Sequence, residues 1–556
     1  MGNPFKRIAC ALVALLVLAT GWAFAEAGPA TPVRDIVVLF TSDVHCGIDQ
    51  GFGYVGLKAI RDALEREGNA VLLVDDGDAI QGEAIGILTQ GQAIIGLMNQ
   101  MGYDVAIPGN HEFDYGAQRF IALADAAEFP YVSCNFNRNG ELVFPPYVIR
   151  EAGGVKLAFV GITTPESLTS SNPRFFQDDE GNFIYGFMRS EDGAEAYAAV
   201  QKAADDARAE GAKYVILLAH LGNSGKSRPY TYADVIGHTR GIDAVLDGHS
   251  HDTDKVAVKN AEGRAVPRQA CGTKLEGIGW LRIAAADGSV ETGLYTWNNA
   301  VPAPRLLGLQ NDMSDTVDDM MAWVDEQLDF VVAQCACELT INDPIARDDA
   351  GKPVRMIRRA ETNLGDLIAD AFRARSGAEV GVACAGGMRM GLPKGAVTMN
   401  DVLNTYPFGN RVYKAEVTGR QILDALEWGA RMVPEESGGF LHASGMTYEI
   451  HTDIPSGCQK DKNGLFTGVE GAYRVRNVMI WGEPLEMDRI YTLASQDFTL
   501  INHGDGQTAF DGARTIWQAD VPDYGVVAEY LHEDLDGIVG EDYANPYGQG
   551  RIVAVG

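Results

Sequence analysis

Short apolar runs recur along the first half of the chain, each ending in a small polar cluster. Residues 36–40, 70–74, 155–162, 214–218 and 242–246 are rich in β-branched side chains and read as strands buried on both faces. Residues 57–67 and 194–209 lie between them with helical spacing, the second stretch rich in Ala, Glu, Asp and Lys. This alternation predicts an α/β domain. Near residue 300 the texture changes. Val301-Pro302-Ala303-Pro304 reads as a boundary, and residues 315–334 as a long acidic helix with Met320, Met321, Trp323, Val324 and Leu328 at packing positions. A second mixed α/β domain follows, with helices over 363–376 and 420–432. The expected division is a first domain over 33–300, a linker and connecting helix over 301–340, and a second domain over 341–556.

The first 25 residues stand apart. Lys6 and Arg7 precede an apolar stretch over 8–20, and Ala23-Phe24-Ala25 matches a cleavage site. The mature chain is therefore expected to be exported, periplasmic or extracellular, and to begin near Glu26. The stretch is short for a bilayer span, and no later run in the sequence is longer, so no membrane span is expected in the mature chain.

Charge narrows the partners. With 45 Lys and Arg against 76 Asp and Glu, the formal net charge is −31, which argues against nucleic acid or an anionic membrane surface. Small anionic substrates stay open, because bound cations invert a local field. Of eight cysteines, Cys10 lies in the leader. The seven others are an odd set whose pairing and whose bearing on oligomeric state the sequence leaves open.

The polar clusters after the strands carry the chemistry. They read Asp43-Val44-His45, Gly77-Asp78, Gly109-Asn110-His111-Glu112-Phe113-Asp114, Ala219-His220 and Gly248-His249-Ser250-His251. Carboxylates, an amide and several imidazoles in post-strand loops suit two divalent metal ions about 3.5–4 Å apart, with a bridging carboxylate. Asp78 is the candidate bridge, with Asp43, His45, Asn110, His220, His249 and His251 as further ligands. His111 and Asp114 suit another role. A histidine oriented by a carboxylate stabilises phosphoryl charge or protonates a leaving oxygen. Two other patterns lack their context. Gly51-Phe52-Gly53-Tyr54-Val55-Gly56 matches a dinucleotide loop but starts ten residues past the first strand, and the Gly-Lys-Ser ending at Ser227 lacks the first glycine of a phosphate loop.

These motifs, in this order, resemble those of the 5′-nucleotidase family of calcineurin-like metallophosphoesterases. The resemblance extends to Arg358-Arg359-Ala360-Glu361-Thr362-Asn363-Leu364-Gly365, Gly386-Gly387-Met388-Arg389, Pro407-Phe408-Gly409-Asn410 and Gly504-Asp505-Gly506. It implies a four-layer αββα metallophosphatase domain joined through a helix to a C-terminal mixed α/β substrate-binding domain that moves to deliver substrate. One metal would take Asp43, His45, Asp78 and His251, the other Asp78, Asn110, His220 and His249, with His111 and Asp114 as the catalytic dyad. The metals would be Zn, Mn, Co or Fe. Arg358 and Arg389 would hold anionic or ribose-proximal groups and Phe408 would stack on a base, with Asn363, Asn410, Asp505 and Phe510 completing the pocket. The implied activity is release of phosphate from nucleoside 5′-monophosphates by metal-bound hydroxide. Hydrolysis of UDP-sugars or 2′,3′-cyclic nucleotides, or of a thiol-bound sulfate, are alternatives on the same scaffold, and an inactive surface binding protein is a reading of another class. The chain departs from the family pattern at Cys46, where Gly is usual, at Cys384, where Asn is usual, and at Gln507, where a second stacking aromatic is common.

Overall fold

In a computed structural model the structure describes residues 33–178, 180–296, 310–348 and 351–556. The expected leader and the Val301–Pro304 boundary lie outside the described residues.

The first part of the chain builds two facing sheets. One has five strands in the order Val290–Thr296, Gly277–Ile283, Ile36–Thr41, Ala70–Asp75 and Val105–Ala106. The other has six, in the order Lys255–Lys259, Ala265–Ala270, Ala244–Asp247, Tyr214–His220, Val155–Thr163 and Tyr147–Ala152. Strand side chains alternate between two buried surroundings. Ile36, Val38 and Phe40 meet Ile216 and Leu218 between the sheets. Val37 and Leu39 face an outer core shared with the helices Gly53–Arg66, Gln92–Met101 and Ala117–Ala126. Val215 and Leu217 face a second outer core under the helix Ala194–Ala209. The result is helix, sheet, sheet, helix. The central strands Ile36–Thr41, Ala70–Asp75, Val155–Thr163, Tyr214–His220 and Ala244–Asp247 are covered on both faces, so their sequences read as continuous apolar runs.

Within each sheet the site-bearing strands are parallel, Ile36–Thr41 beside Ala70–Asp75 beside Val105–Ala106, and Tyr214–His220 beside Ala244–Asp247. Their carboxyl ends, and the loops that follow, therefore gather at one edge of the sandwich. The glycines at 51 and 53 have a packing cause. Both have left-handed backbone, and a Cβ at Gly51 would strike the backbone of Leu275, whose carbonyl accepts from Phe52 N at 2.9 Å.

The acidic helix is shorter than its composition predicts. It spans Ser314–Leu328, and Val331–Cys335 is a strand paired with Gly395–Thr398. The β-branched start of that segment has a partner strand, which overrides helical continuation. Val324 and Leu328 are buried against the first core and Met320 and Met321 pack at its margin, but Trp323 is 40% exposed, since it lies off that stripe. Beyond it, a five-stranded sheet runs Leu441–Ser444, Val380–Cys384, Ile490–Gln496, Arg411–Thr418 and Arg514–Pro522. The helix Asn363–Ser376, capped by Thr362, and the helix Gly419–Ala430, with a Thr418–Gln421 capping box, share one core with it. Among the described residues no helix is long and apolar enough to cross a membrane, and all seven described cysteines are free thiols.

Candidate metal centre and substrate cleft

Three loops are laced together through their backbones. Asp43 N donates to Gly77 O and His45 N to Asp78 O, both at 2.9 Å, and Asp78 Oδ1 accepts from His111 N at 2.7 Å. Glu112 fastens the lacing. Its buried carboxylate accepts from Asp78 N (2.7 Å), Ala79 N (2.8 Å) and Gly109 N (2.6 Å). Burial pushes the Glu112 carboxyl up to about 7, against those N–H groups. Glu112 is absent from the residues expected of the site, although it sits inside a motif, because nothing in spacing distinguishes a carboxylate that grips backbone from one aimed at a ligand.

The side chains so positioned fall into donor groups: Asp43 with His45 and His251, and Asp78 with His220 and His249, while Asp78 also groups with His45 and His111. His45 Nε2 lies 3.1 Å from His251 Nε2, His251 Nε2 lies 3.4 Å from Asp43 Oδ1, and His220 Nε2 lies 3.0 Å from Asp78 Oδ2. Asp78 thus stands between the two groups, 3.9 Å from His45 Nε2. His45 Nδ1 bonds Gln81 O at 2.9 Å and His220 Nδ1 bonds Asp76 O at 2.7 Å. A carbonyl only accepts, so each Nδ1 carries a proton and each Nε2 is the nitrogen left facing the cluster. Asn110 Oδ1 is buried and has no hydrogen-bond partner. An orphaned amide oxygen beside facing imidazole nitrogens fits divalent cations bound by oxygen and nitrogen. Five of these residues, Asp43, His45, Asp78, His249 and His251, have positive φ, between 47° and 77°. Such backbone is costly for residues other than glycine and clusters at functional sites.

Charges in this cluster are strongly coupled. Burial raises Asp43 to about 7. It acts the same way on Asp78, but His220, His111 and His45 outweigh it and hold that carboxylate well below its usual range. Burial opposes a charged His220, yet Asp78 and Asp43 lift it to about 10.

His111 and Asp114 are joined at 2.5 Å through Nδ1 and Oδ2, and Asp114 Oδ1 accepts from Ser171 Oγ at 2.8 Å. Burial works against a charged His111 ring, but Asp114 and Asp78 prevail and its pKa rises above the ordinary value.

A second brace lies behind the histidines. Arg268, fully buried, donates to Asp247 Oδ2 (2.7 Å) and to Asp252 Oδ1 (2.6 Å), while Asp247 Oδ1 accepts from Leu221 N (3.0 Å) and Gly222 N (3.2 Å). One ion cluster thereby holds the loop after His220 and both ends of the His249–His251 loop. Replacing Arg268 by Ala strands the buried Asp247, and we expect a stability loss of about 3–5 kcal/mol, read as a lower denaturant midpoint.

The second domain closes over this edge. Gln81 Nε2 donates to Pro407 O (2.9 Å) and Ala84 N to Asn404 Oδ1 (3.0 Å). Phe408 follows directly, its ring 5.9 Å from that of His111, and the Arg389 guanidinium lies 5.8 Å from the Phe408 ring. Between the domains is a cleft of about 1410 Å³, lined by Asp78, Asn110, His111 and His249 on one side and by Arg358, Arg389, Phe408, Asn410 and Asp505 on the other. Burial lowers Arg358 to about 9, with Arg355 and Arg389 adding to it, and Arg358 Nε has no hydrogen-bond partner.

Two expected pocket residues are not in this cleft. Asn363 is buried at the start of its helix, where Nδ2 donates to Glu338 O and Tyr543 O and Oδ1 accepts from Thr340 N, all at 2.9 Å. Three backbone groups exhaust its amide, so it is a structural tie. Phe510 packs in the second-domain core. A phenylalanine that does line the cleft in the second domain besides Phe408 is Phe498, on the short helix Asp497–Leu500 ahead of the Gly504–Gly506 turn. The sequence carries a signal for it, an aromatic seven residues before Asp505, on the opposite side of the motif from Phe510. Gln507 is buried, bonded to Ala425 O at 3.2 Å. Cys384 sits behind the wall and donates to Gly438 O at 3.0 Å.

The sandwich fold and the donor groups at its edge define a metal-dependent phosphoesterase. Residues 36–253 match the calcineurin-like phosphoesterase family, and residues 340–512 match the 5′-nucleotidase C-terminal domain. The chain belongs to the 5′-nucleotidase family of metallophosphoesterases, whose phosphoesterase domain uses a dinuclear divalent metal centre. It is 26% identical to a 5′-nucleotidase of Vibrio parahaemolyticus, over 90% of each chain, and 25% identical to the protein UshA of Escherichia coli, over 95% of this chain and 96% of that one. It also matches the trifunctional nucleotide phosphoesterase YfkN of Bacillus subtilis at 26% identity, but spans only 34% of that protein's length. Among solved structures, a 5′-nucleotidase precursor from Thermus thermophilus superposes with a TM-score of 0.73 at 24% identity, covering 94% of this chain and 99% of that one, which shows a shared fold.

Proposed function

We propose that this chain is an exported phosphohydrolase that releases phosphate from nucleoside 5′-monophosphates. The observation that carries the reading is the cleft itself. Metal-ligating residue types stand on one wall, and Phe408 and Phe498 with Arg358 and Arg389 stand on the facing wall. When bound, a divalent metal pair supplies an acidified water nucleophile and offsets charge on the phosphoryl oxygens. Asp43, His45, Asp78, Asn110, His220, His249 and His251 hold the pair. His111, with Nδ1 committed to Asp114, offers its other nitrogen to a phosphoryl or leaving oxygen and is kept protonated towards neutrality by Asp114 and Asp78. Arg358 and Arg389 take the anionic end of the nucleotide, Phe408 and Phe498 flank the base, and Asn410 and Asp505 line the same wall.

The test is phosphate release, with Mn²⁺ or Zn²⁺ added, from 5′-AMP, 5′-UMP, UDP-glucose, 2′,3′-cyclic AMP and a nucleoside-free phosphate ester. Fast release from the monophosphates supports the reading, and indifference to the nucleoside refutes it. Phe408→Ala should lower kcat/KM for 5′-AMP by about tenfold or more, the loss of one base stack at about 1–3 kcal/mol, and leave the nucleoside-free ester far less affected.

A further inference from the structure

Three cations on the cleft wall belong to no motif and to no role assigned above: Arg431, Lys460 and Arg189. They come from separate segments. Arg431 ends the helix Gly419–Ala430, with its guanidinium 3.9 Å from the Trp428 ring centre and Nη1 donating to Trp428 O at 2.7 Å. Lys460 ends the strand Cys458–Lys460. Arg189 reaches over from the first domain and donates to Asn463 O at 2.6 Å. Arg189 and Arg431 both lie close enough to Lys460 to lower its pKa, after burial, and burial likewise lowers Arg431.

Among the described residues none of the three forms an ion pair with a carboxylate, in a chain with 76 acidic residues against 45 basic ones. Glu166 and Asp505 are the acids that face them. Glu166 is engaged with Ser227 Oγ at 2.7 Å and lies 3.3 Å from His249 Nε2. Asp505 meets Arg431 beside Gly439 and offsets part of that one charge, while also reaching the Cys384 thiol at 3.8 Å, so it does not neutralise three cations. Three converging cations repel one another, and a desolvated guanidinium is costly without an anion. The scissile phosphate does not account for them, since the metal ligands, Arg358 and Arg389 already serve it. Trp428 Nε1 donates to Asp505 O at 3.0 Å, and the preceding Gly504 packs on the Phe498 ring, so Arg431 stands on the side of the cleft that the proposed reading gives to the nucleoside.

We infer that Arg431, Lys460 and Arg189 form a second phosphate subsite, and that the preferred substrate carries a phosphate on its ribose as well as the 5′-phosphate that is cut. This rests on the nucleotidase reading and deepens it. Arginine forks and an ammonium suit a phosphate dianion, and the first-domain arginine places the subsite where the two domains meet. The reaction adds water across the 5′ ester, breaks the P–O5′ bond, and leaves inorganic phosphate and a nucleoside 3′-phosphate.

The experiment compares kcat/KM for adenosine 3′,5′-bisphosphate, 5′-AMP and ADP with the metal-loaded full chain, separating products by chromatography. The expected result is a preference for the bisphosphate over 5′-AMP of about tenfold or more. That preference should fall towards unity in Arg431→Ala and in Lys460→Ala. Lys460 lies outside the hydrophobic cores, at the end of a short strand, so its variant folds even where Arg431→Ala does not. A merely structural Arg431, serving as a cation at a helix C-terminus, predicts lower stability with the preference intact, and that outcome overturns the inference. So does an unselective wild type, or an equal gain with ADP that Lys460→Ala removes, which would put the second phosphate in line with the first. Hydrolysis of 5′-AMP without preference leaves the nucleotidase reading standing, whereas hydrolysis of a nucleoside-free ester alone sinks both.

Discussion

Replacing Asp78 by Ala should remove turnover and metal binding together. Its carboxylate stands 3.0 Å from His220 Nε2 within one donor group and 3.9 Å from His45 Nε2 of the other. The proposed bridging oxygen would be lost, and several kcal/mol of transition-state charge stabilisation would go with it, or about 10³-fold in rate or more. Metal analysis after gel filtration should find fewer than two ions per chain. Two ions retained at full affinity would show that Asp78 does not bridge. Backbone effects are separable with Asp78→Asn, which keeps the His111 N–H acceptor but loses the charge.

His111→Ala should behave differently. The ring lies on the cleft wall with Nδ1 tied to Asp114, and although it stands beside Asp78 and His45, each of the two other donor groups is complete without it, so metal content should stay near that of the unmodified chain. Loss of a positioned proton donor should lower kcat by about 10²–10⁴-fold. A leaving group with a low pKa needs no proton, so an activated aryl phosphate should lose much less than 5′-AMP. Equal losses on both would assign His111 to charge stabilisation and not to proton transfer.

The sequence made the site legible because of where its residues fall. Strands buried on both faces announce themselves as apolar runs, and in parallel sheets the residue after such a run is at the functional edge. Asp43, His45, Asp78 and His220 all stand in that position. The helix Ala194–Ala209 was also legible to the residue, because its alanine-rich pattern has few competitors. What spacing could not say was which way a motif residue points. Asn363 and Phe510 sit in or beside recognisable motifs, yet one ties backbone and the other fills a core. Arg268 and Asp247 were invisible for the opposite reason. Their meaning is a buried pairing between strands, and neither has a local pattern. The end of the acidic helix at Leu328 was lost because the strand that claims residues 331–335 lies some sixty residues away in sequence.

The left-handed backbone at five of the seven proposed ligand positions gives the family's inheritance a direction. At each of these positions the side chain that function requires is one the main chain would discard, since glycine or asparagine holds that conformation at lower cost. Apart from the loop bonds that Asp78 and Asp43 accept from His111 N and His249 N, selection for catalysis keeps aspartate and histidine there, and a lineage released from it would drift towards glycine or asparagine at these sites.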